Sequence, residues 1–350
     1  MYNHPPSLSY SVNRYPSISS KIKMQPFQLT LSNNGTVTGR HSIPPPPPSQ
    51  PPPQPQPKPL IVALHGGFYS STYFDATPPY SAQPTSTSLN VPFVAIDRPC
   101  YGGTSSILPL PPGSDFPQET GTWLHRFILP RLWREFGVPN GCVCIVLLCH
   151  SLGVTGGVVA AALHAESVVA RSQHDGQGQD QGEYPLGGLI ASGMGNTSTT
   201  QQTILTVFEP VGVDRIRFPI PAKNATMFNK PGTVPAEVLA HSERLNSPLP
   251  TIEATRFDQA WMAVWREKWA GKVTVPVRVA LVQDDPYFLG TEDEVDKCVA
   301  AFGGSQKVEG RLMRDEPHCI ELSWWAPEWY ASCFGFGVEC ATLFLEHTSE

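Results

Sequence analysis

Charge is scarce in this chain and unevenly placed. Only 15% of its 350 residues are Asp, Glu, Lys or Arg, the net charge is −6, and no acidic residue precedes Asp75. Lysines and arginines form no cluster, so there is no footprint for a phosphate backbone and nucleic acid is excluded as a partner. No apolar run approaches the ~20 residues of a membrane span. The N-terminus lacks the apolar core of a signal peptide, and its first 24 residues hold only Arg14, too little arginine for a transit peptide. The eight cysteines are scattered. No Cys-x-x-Cys pairs with a second such motif or with spaced histidines, so a zinc site is not expected, and nothing calls for another cofactor. Free buried thiols in a reducing compartment follow, and the expected location is cytoplasmic.

Proline, by contrast, is abundant, with 38 in the chain. Residues 44–59 contain only Pro, Ser, Gln and Lys58 and must be polyproline II or unstructured. A spacer loop is the preferred reading. The alternative is a docking segment for an SH3-type partner. A second biased stretch, 171–184, reads as a polar surface loop, and residues 1–24 read as a disordered leader. With 40% hydrophobic residues the remainder can bury a sizeable core, as one large domain with insertions.

Within that remainder, Phe27-Gln28-Leu29-Thr30-Leu31 alternates as a strand should, and Asn33-Asn34-Gly35 supplies a hairpin turn before a return strand over 37–42. Three continuous apolar runs follow the buried-strand pattern: Leu60-Ile61-Val62-Ala63-Leu64, residues 142–148, and Val277-Arg278-Val279-Ala280-Leu281-Val282. Each ends in a chemically capable segment. The first runs into His65-Gly66-Gly67-Phe68, whose glycines let backbone N–H groups approach a carbonyl oxygen. The second runs into Cys149-His150-Ser151-Leu152-Gly153, a strand, a sharp turn with serine at its apex and a helix opened by small residues. The third runs into Gln283-Asp284-Asp285-Pro286. Beyond a further strand over 307–313 lies Arg314-Asp315-Glu316-Pro317-His318.

These segments suggest a nucleophilic Ser151, a basic His318 and an acidic Asp285. Asp284 competes for the last role, and the position just before Pro286 favours Asp285. The backbone N–H of Leu152 and one from Gly67 or Phe68 would face a developing oxyanion. His65 fits an orienting role in its own turn, and His150 would be aimed away from the serine.

The order Ser…Asp…His, with the His-Gly-Gly turn upstream, resembles that of the α/β-hydrolases. The segment Asp97-Arg98-Pro99-Cys100-Tyr101-Gly102 resembles the Asp-Arg-Pro-Gly-Tyr-Gly turn of that family. Tyr73-Phe74-Asp75 is similar to a subgroup of small bacterial and fungal members. The resemblance spans nearly everything from Phe27 to Leu345. Cys100 and Cys149 stand where the family has glycine, and Pro317 where glycine often precedes the histidine. The resemblance implies a mostly parallel central sheet flanked by helices, with core parts at 25–195 and 271–350 and a helical cap at 196–270. In that cap Phe257, Trp261, Trp265 and Trp269 fall on one face of a helix, most simply as core packing and alternatively as a pocket lining. It also implies a serine hydrolase that cleaves a carboxylic ester or related acyl bond of a small-molecule substrate through an acyl-enzyme on Ser151. Alternatives are C–C hydrolysis, perhydrolysis or secondary-metabolite tailoring by the same triad. A non-catalytic scaffold using the proline-rich loop is the remaining one.

Overall fold

The computed structural model describes residues 23–45, 56–172, 184–199 and 206–348. The expected leader up to residue 22, residues 46–55 of the proline-rich segment and residues 173–183 of the polar loop lie outside the described residues. The margins of these segments differ from expectation: Pro59, expected to end the proline-rich loop, is the first residue of a buried strand. Met24 is buried in the core rather than part of a leader. Arg171 and Ser172 still belong to a helix, and Tyr184 is buried.

The chain opens with the hairpin β1 (Gln25–Thr30) and β2 (Thr36–Ser42), turned at Asn34 with φ 61°. Strand β3 (Pro59–Leu64) leads into a small hairpin, β4 (Asp75–Thr77) and β5 (Tyr80–Ser81), and then helix α1 (Gln83–Leu89). Next come β6 (Phe93–Ile96), helices α2 (Phe116–Trp123) and α3 (Leu129–Leu132), β7 (Cys144–His150), α4 (Leu152–Ser172) and β8 (Leu186–Ser192). After an insertion, β12 (Val277–Val282), α9 (Glu292–Ala301), β13 (Val308–Met313) and α10 (Ala326–Thr348) complete the chain. The insertion carries β9 (Glu209–Val211), β10 (Arg215–Arg217), α5 (Ile220–Met227), α6 (Ala236–Leu239), β11 (Leu249–Pro250), α7 (Thr251–Thr255) and α8 (Trp265–Lys268).

Eight strands form one sheet in the order β1-β2-β6-β3-β7-β8-β12-β13. The hairpin joins antiparallel through β2 and β6, and every pairing from β6 to β13 is parallel. Val62, Leu64, Leu147 and Cys149 belong to the core on the α4 side, while Ile61, Ala63, Val146 and Leu148 belong to the core on the α10 side. Burial on both faces is why these strands read as unbroken apolar runs. Cys144 faces the α10 side, but Cys142 precedes the strand and packs on the other. All eight cysteines are buried and free.

The structure adds detail to the expected α4 and insertion. Within α4, Leu152–Arg171 is long and apolar enough, by length and composition, to cross a membrane. Most of it is buried against α2 and the sheet, and a helix covered on several sides reads as apolar all round. Secondly, the insertion contains a three-stranded antiparallel sheet, β11-β10-β9, beside its helices. The single tryptophan-faced helix is also broken, into a π turn at Asp258–Met262, α8, and a 3₁₀ turn at Ala270–Lys272. Its rings are core nonetheless. Trp261 and Trp265 stack at 6.0 Å, and both join Trp269 in the cluster on the α4 side.

Candidate active site

Ser151 sits between the end of β7 and the start of α4 with φ 51°, in the left-handed region that a β-carbon disfavours. Its N–H donates to the Ser192 carbonyl of neighbouring β8 at 2.7 Å, which anchors the strained residue to the sheet. Small neighbours make the turn possible. A Cβ on Gly153 would lie 2.4 Å from the Leu64 carbonyl, so only glycine lets α4 close onto β3. A Cβ on Gly157 would lie 2.4 Å from the Cys149 sulfur. The cysteine that replaces a family glycine therefore fills room left by a glycine one turn into the helix. Cys100, the other such cysteine, adopts φ 71°, a conformation glycine takes without strain.

Ser151 meets a histidine and a carboxylate. His318, in the loop after β13, has its Nε2 3.1 Å from the Ser151 hydroxyl and its Nδ1 2.7 Å from Asp285 Oδ2. Pro317 does not keep His318 out of reach. Both His318 and Asp285 are almost wholly buried. The other Asp285 oxygen accepts the backbone N–H groups of Tyr287 and Phe288, at 2.8 and 3.2 Å. Those bonds aim the carboxylate at His318. Asp284 is half-exposed and lies 3.5 Å from Lys230, outside this chain of contacts.

The His-Gly-Gly turn passes directly over the serine, since a Cβ on Gly66 would lie 2.9 Å from Ser151 Cβ. Phe68 is held at φ 62°. Among the described residues the backbone N–H groups of Gly67, Phe68 and Leu152 have no hydrogen-bond partner, so they remain available to a ligand oxygen. His65 is fully buried and fixes the turn. Its Nδ1 donates to the Gly66 carbonyl at 2.7 Å and its Nε2 accepts the Arg98 N–H at 3.2 Å. Burial, with Arg98 nearby, pushes its pKa well down, so the ring stays neutral.

A buried polar group behind Ser151, His318 and Asp285 left no trace in the sequence pattern. His150 is not simply aimed away. Its ring stacks on Tyr73 at 5.1 Å and lies 5.0 Å from the His318 ring. Its Nδ1 is 3.1 Å from the Ser192 hydroxyl and 3.7 Å from Glu321. Glu321 is fully buried and accepts bonds from the Tyr73 hydroxyl (2.6 Å) and the Trp329 indole (2.9 Å). Burial raises the Glu321 pKa, and burial together with His318 lowers that of His150. Gly193, at φ 64°, makes room for both imidazoles: a Cβ there would lie 2.9 Å from His150 and 3.2 Å from His318. Among the described residues no group of three or more His, Cys, Asp or Glu side chains is placed to hold a metal ion.

A doubly wound parallel sheet with serine at a strand-to-helix turn, facing histidine and carboxylate from later strand ends, defines the α/β-hydrolase class of fold. The sequence profile described as the alpha/beta hydrolase family matches residues 61–332, and the chain belongs to that family. No curated protein matches it in sequence. Among solved structures it resembles an E-2-(acetamidomethylene)succinate hydrolase at 14% identity and a TM-score of 0.54, covering 90% of this chain and 99% of that one. An alpha/beta hydrolase from Novosphingobium aromaticivorans is similar at 13% identity and a TM-score of 0.53, over 91% and 99% of the two chains. An esterase from Thermogutta terrifontis gives 13% identity and a TM-score of 0.50, over 91% and 99%. At such identities the likeness concerns the fold.

Proposed function

We propose that this hydrolase-family protein is a serine hydrolase of a carboxylic ester or related acyl bond. The observation that carries the reading is the continuous relay of Asp285 to His318 at 2.7 Å and His318 to Ser151 at 3.1 Å. A serine hydroxyl is a weak nucleophile until a base takes its proton. His318 Nε2 is within transfer distance, and Asp285 holds Nδ1 protonated and stabilises the imidazolium. Ser151 Oγ then attacks the substrate carbonyl. The oxyanion accepts the Leu152 N–H and one from Gly67 or Phe68, a donor pair of which each member is worth ~2.7–4 kcal/mol in the transition state. Collapse expels the alcohol, which takes the proton from His318. Water, deprotonated by the same imidazole, attacks the acyl-serine and releases the acid.

Residues 196–270 act as a cap in this reading. Phe208 and Phe218 of the insertion lie against Phe68, with ring centroids at 4.8 and 5.2 Å, and bring aromatic surface to the oxyanion turn. An acyl group of small to medium size and partly apolar character fits such a setting. Hydrolysis of p-nitrophenyl acyl esters tests the assignment. The Ser151→Ala variant is expected to lose turnover by several orders of magnitude, and undiminished turnover would sink the reading.

A further inference from the structure

Lys223 is a buried lysine whose pKa burial pushes down to about 7. It lies on α5 of the insertion, is 2% exposed, and makes no ion pair with a carboxylate among the described residues. Its Nζ reaches three oxygens: the Phe68 carbonyl at 2.7 Å, the Leu245 carbonyl at 2.8 Å and Asn246 Oδ1 at 3.2 Å. The Tyr69 ring lies beneath it with its centroid at 3.6 Å. Burying an amino group this deeply is unfavourable unless its donors are satisfied. Here they can be satisfied, and the site that gains is the turn beside Ser151.

The geometry of that turn explains what the lysine does there. The Phe68 carbonyl accepts a second bond, from the Ser247 N–H at 3.0 Å, also on the insertion. At the other end of the turn the Gly66 carbonyl is held by His65 at 2.7 Å and approached by the Arg98 guanidinium at 3.5 Å. The turn is therefore pinned at Gly66 by the body and at Phe68 by the insertion. The free N–H groups of Gly67 and Phe68 lie between the two pins. Phe68 itself is held at φ 62°, a conformation that needs outside support in a residue with a side chain.

We propose that Lys223 is a positioning residue of the oxyanion turn: from the insertion, its amino group donates to the Phe68 carbonyl and so aims the Gly67 and Phe68 N–H groups at the transition-state oxyanion. This rests on the acyl-transfer reading above. The insertion thereby contributes to transition-state geometry as well as to substrate cover.

Lys223→Met keeps the length and removes the donors. Steady-state kinetics on a p-nitrophenyl ester are expected to show kcat lowered ~100-fold, the scale of a misplaced catalytic group, with KM within about threefold. Affinity for a trifluoromethyl ketone, which forms an oxyanion on Ser151, should fall by a factor similar to kcat. Lys223→Ala, which leaves a hole shaped like propylammonium, should recover activity saturably with added propylammonium and not with tetramethylammonium. An unchanged kcat in Lys223→Met overturns the proposal. So does a loss that appears mainly in KM and melting temperature, with no recovery by propylammonium. If Lys223→Met does not fold, the amine-recovery experiment decides alone, and absence of recovery in folded Lys223→Ala overturns it. Failure of the underlying reading is seen separately, as retained turnover in Ser151→Ala.

Discussion

Asp284 and Asp285 are adjacent in sequence but differ in every physical respect that matters to His318. Asp285 is buried, takes two backbone N–H bonds on one oxygen and gives the other to His318 at 2.7 Å. Asp284 faces solvent beside Lys230. Replacing Asp285 by Asn offers the imidazole an amide, which no longer selects the Nδ1-protonated tautomer or stabilises the imidazolium. The Asp285→Asn variant is expected to lose roughly 10⁴-fold in kcat, while Asp284→Asn stays within about twofold, as surface substitutions do. Steady-state rates of the two variants on one ester check this pair. The position before Pro286 already favoured Asp285 in the sequence. His150 and Glu321 were not legible, because their significance comes from contacts such as Tyr73 to Glu321, 248 residues apart. Lys223 was hidden for the same reason, reaching Phe68 across 155 residues.

At the scale of elements, the parallel strands were legible, and of the insertion only its aromatic face was. Burial on both faces writes β3, β7 and β12 into the sequence as apolar runs, and the structure places β12 over Val277–Val282. The insertion is built from pieces too short for either periodicity to show, with two-residue β11 and four-residue α6 and α8 among them. Long-range contacts hold them. Glu253 on α7 takes bonds from Arg98 (2.6 Å) and the Tyr101 hydroxyl (2.5 Å), and the Arg98–Glu253 pair is almost wholly buried. Removing the carboxylate leaves an uncompensated buried guanidinium. Glu253→Ala is therefore expected to destabilise the fold by about 3–5 kcal/mol, read from denaturant midpoints. Adding Arg98→Met to Glu253→Ala should return part of that loss. Equal or greater loss in the double variant would show that the pair does not act as a unit.

For the molecule as a whole, the proposed catalytic parts arise at the C-terminal ends of strands scattered through the chain and meet only because the sheet orders them β3-β7-β8-β12-β13. The His-Gly-Gly turn follows β3, Ser151 follows β7, Asp285 follows β12 and His318 follows β13. The spacing of these motifs could reveal the order in which they appear. It could not reveal the 3.1 Å and 2.7 Å contacts, or the bond from Lys223 of the insertion to the Phe68 carbonyl. The central claim is that Ser151 is the nucleophile of this arrangement. Its most direct test is peptide mapping by mass spectrometry after reaction with a fluorophosphonate, alongside a His318→Ala variant. The account requires one phosphonyl adduct on Ser151, formed at a rate that collapses in His318→Ala. An adduct on another residue, or ester hydrolysis that persists with Ser151 unmodified, would contradict it.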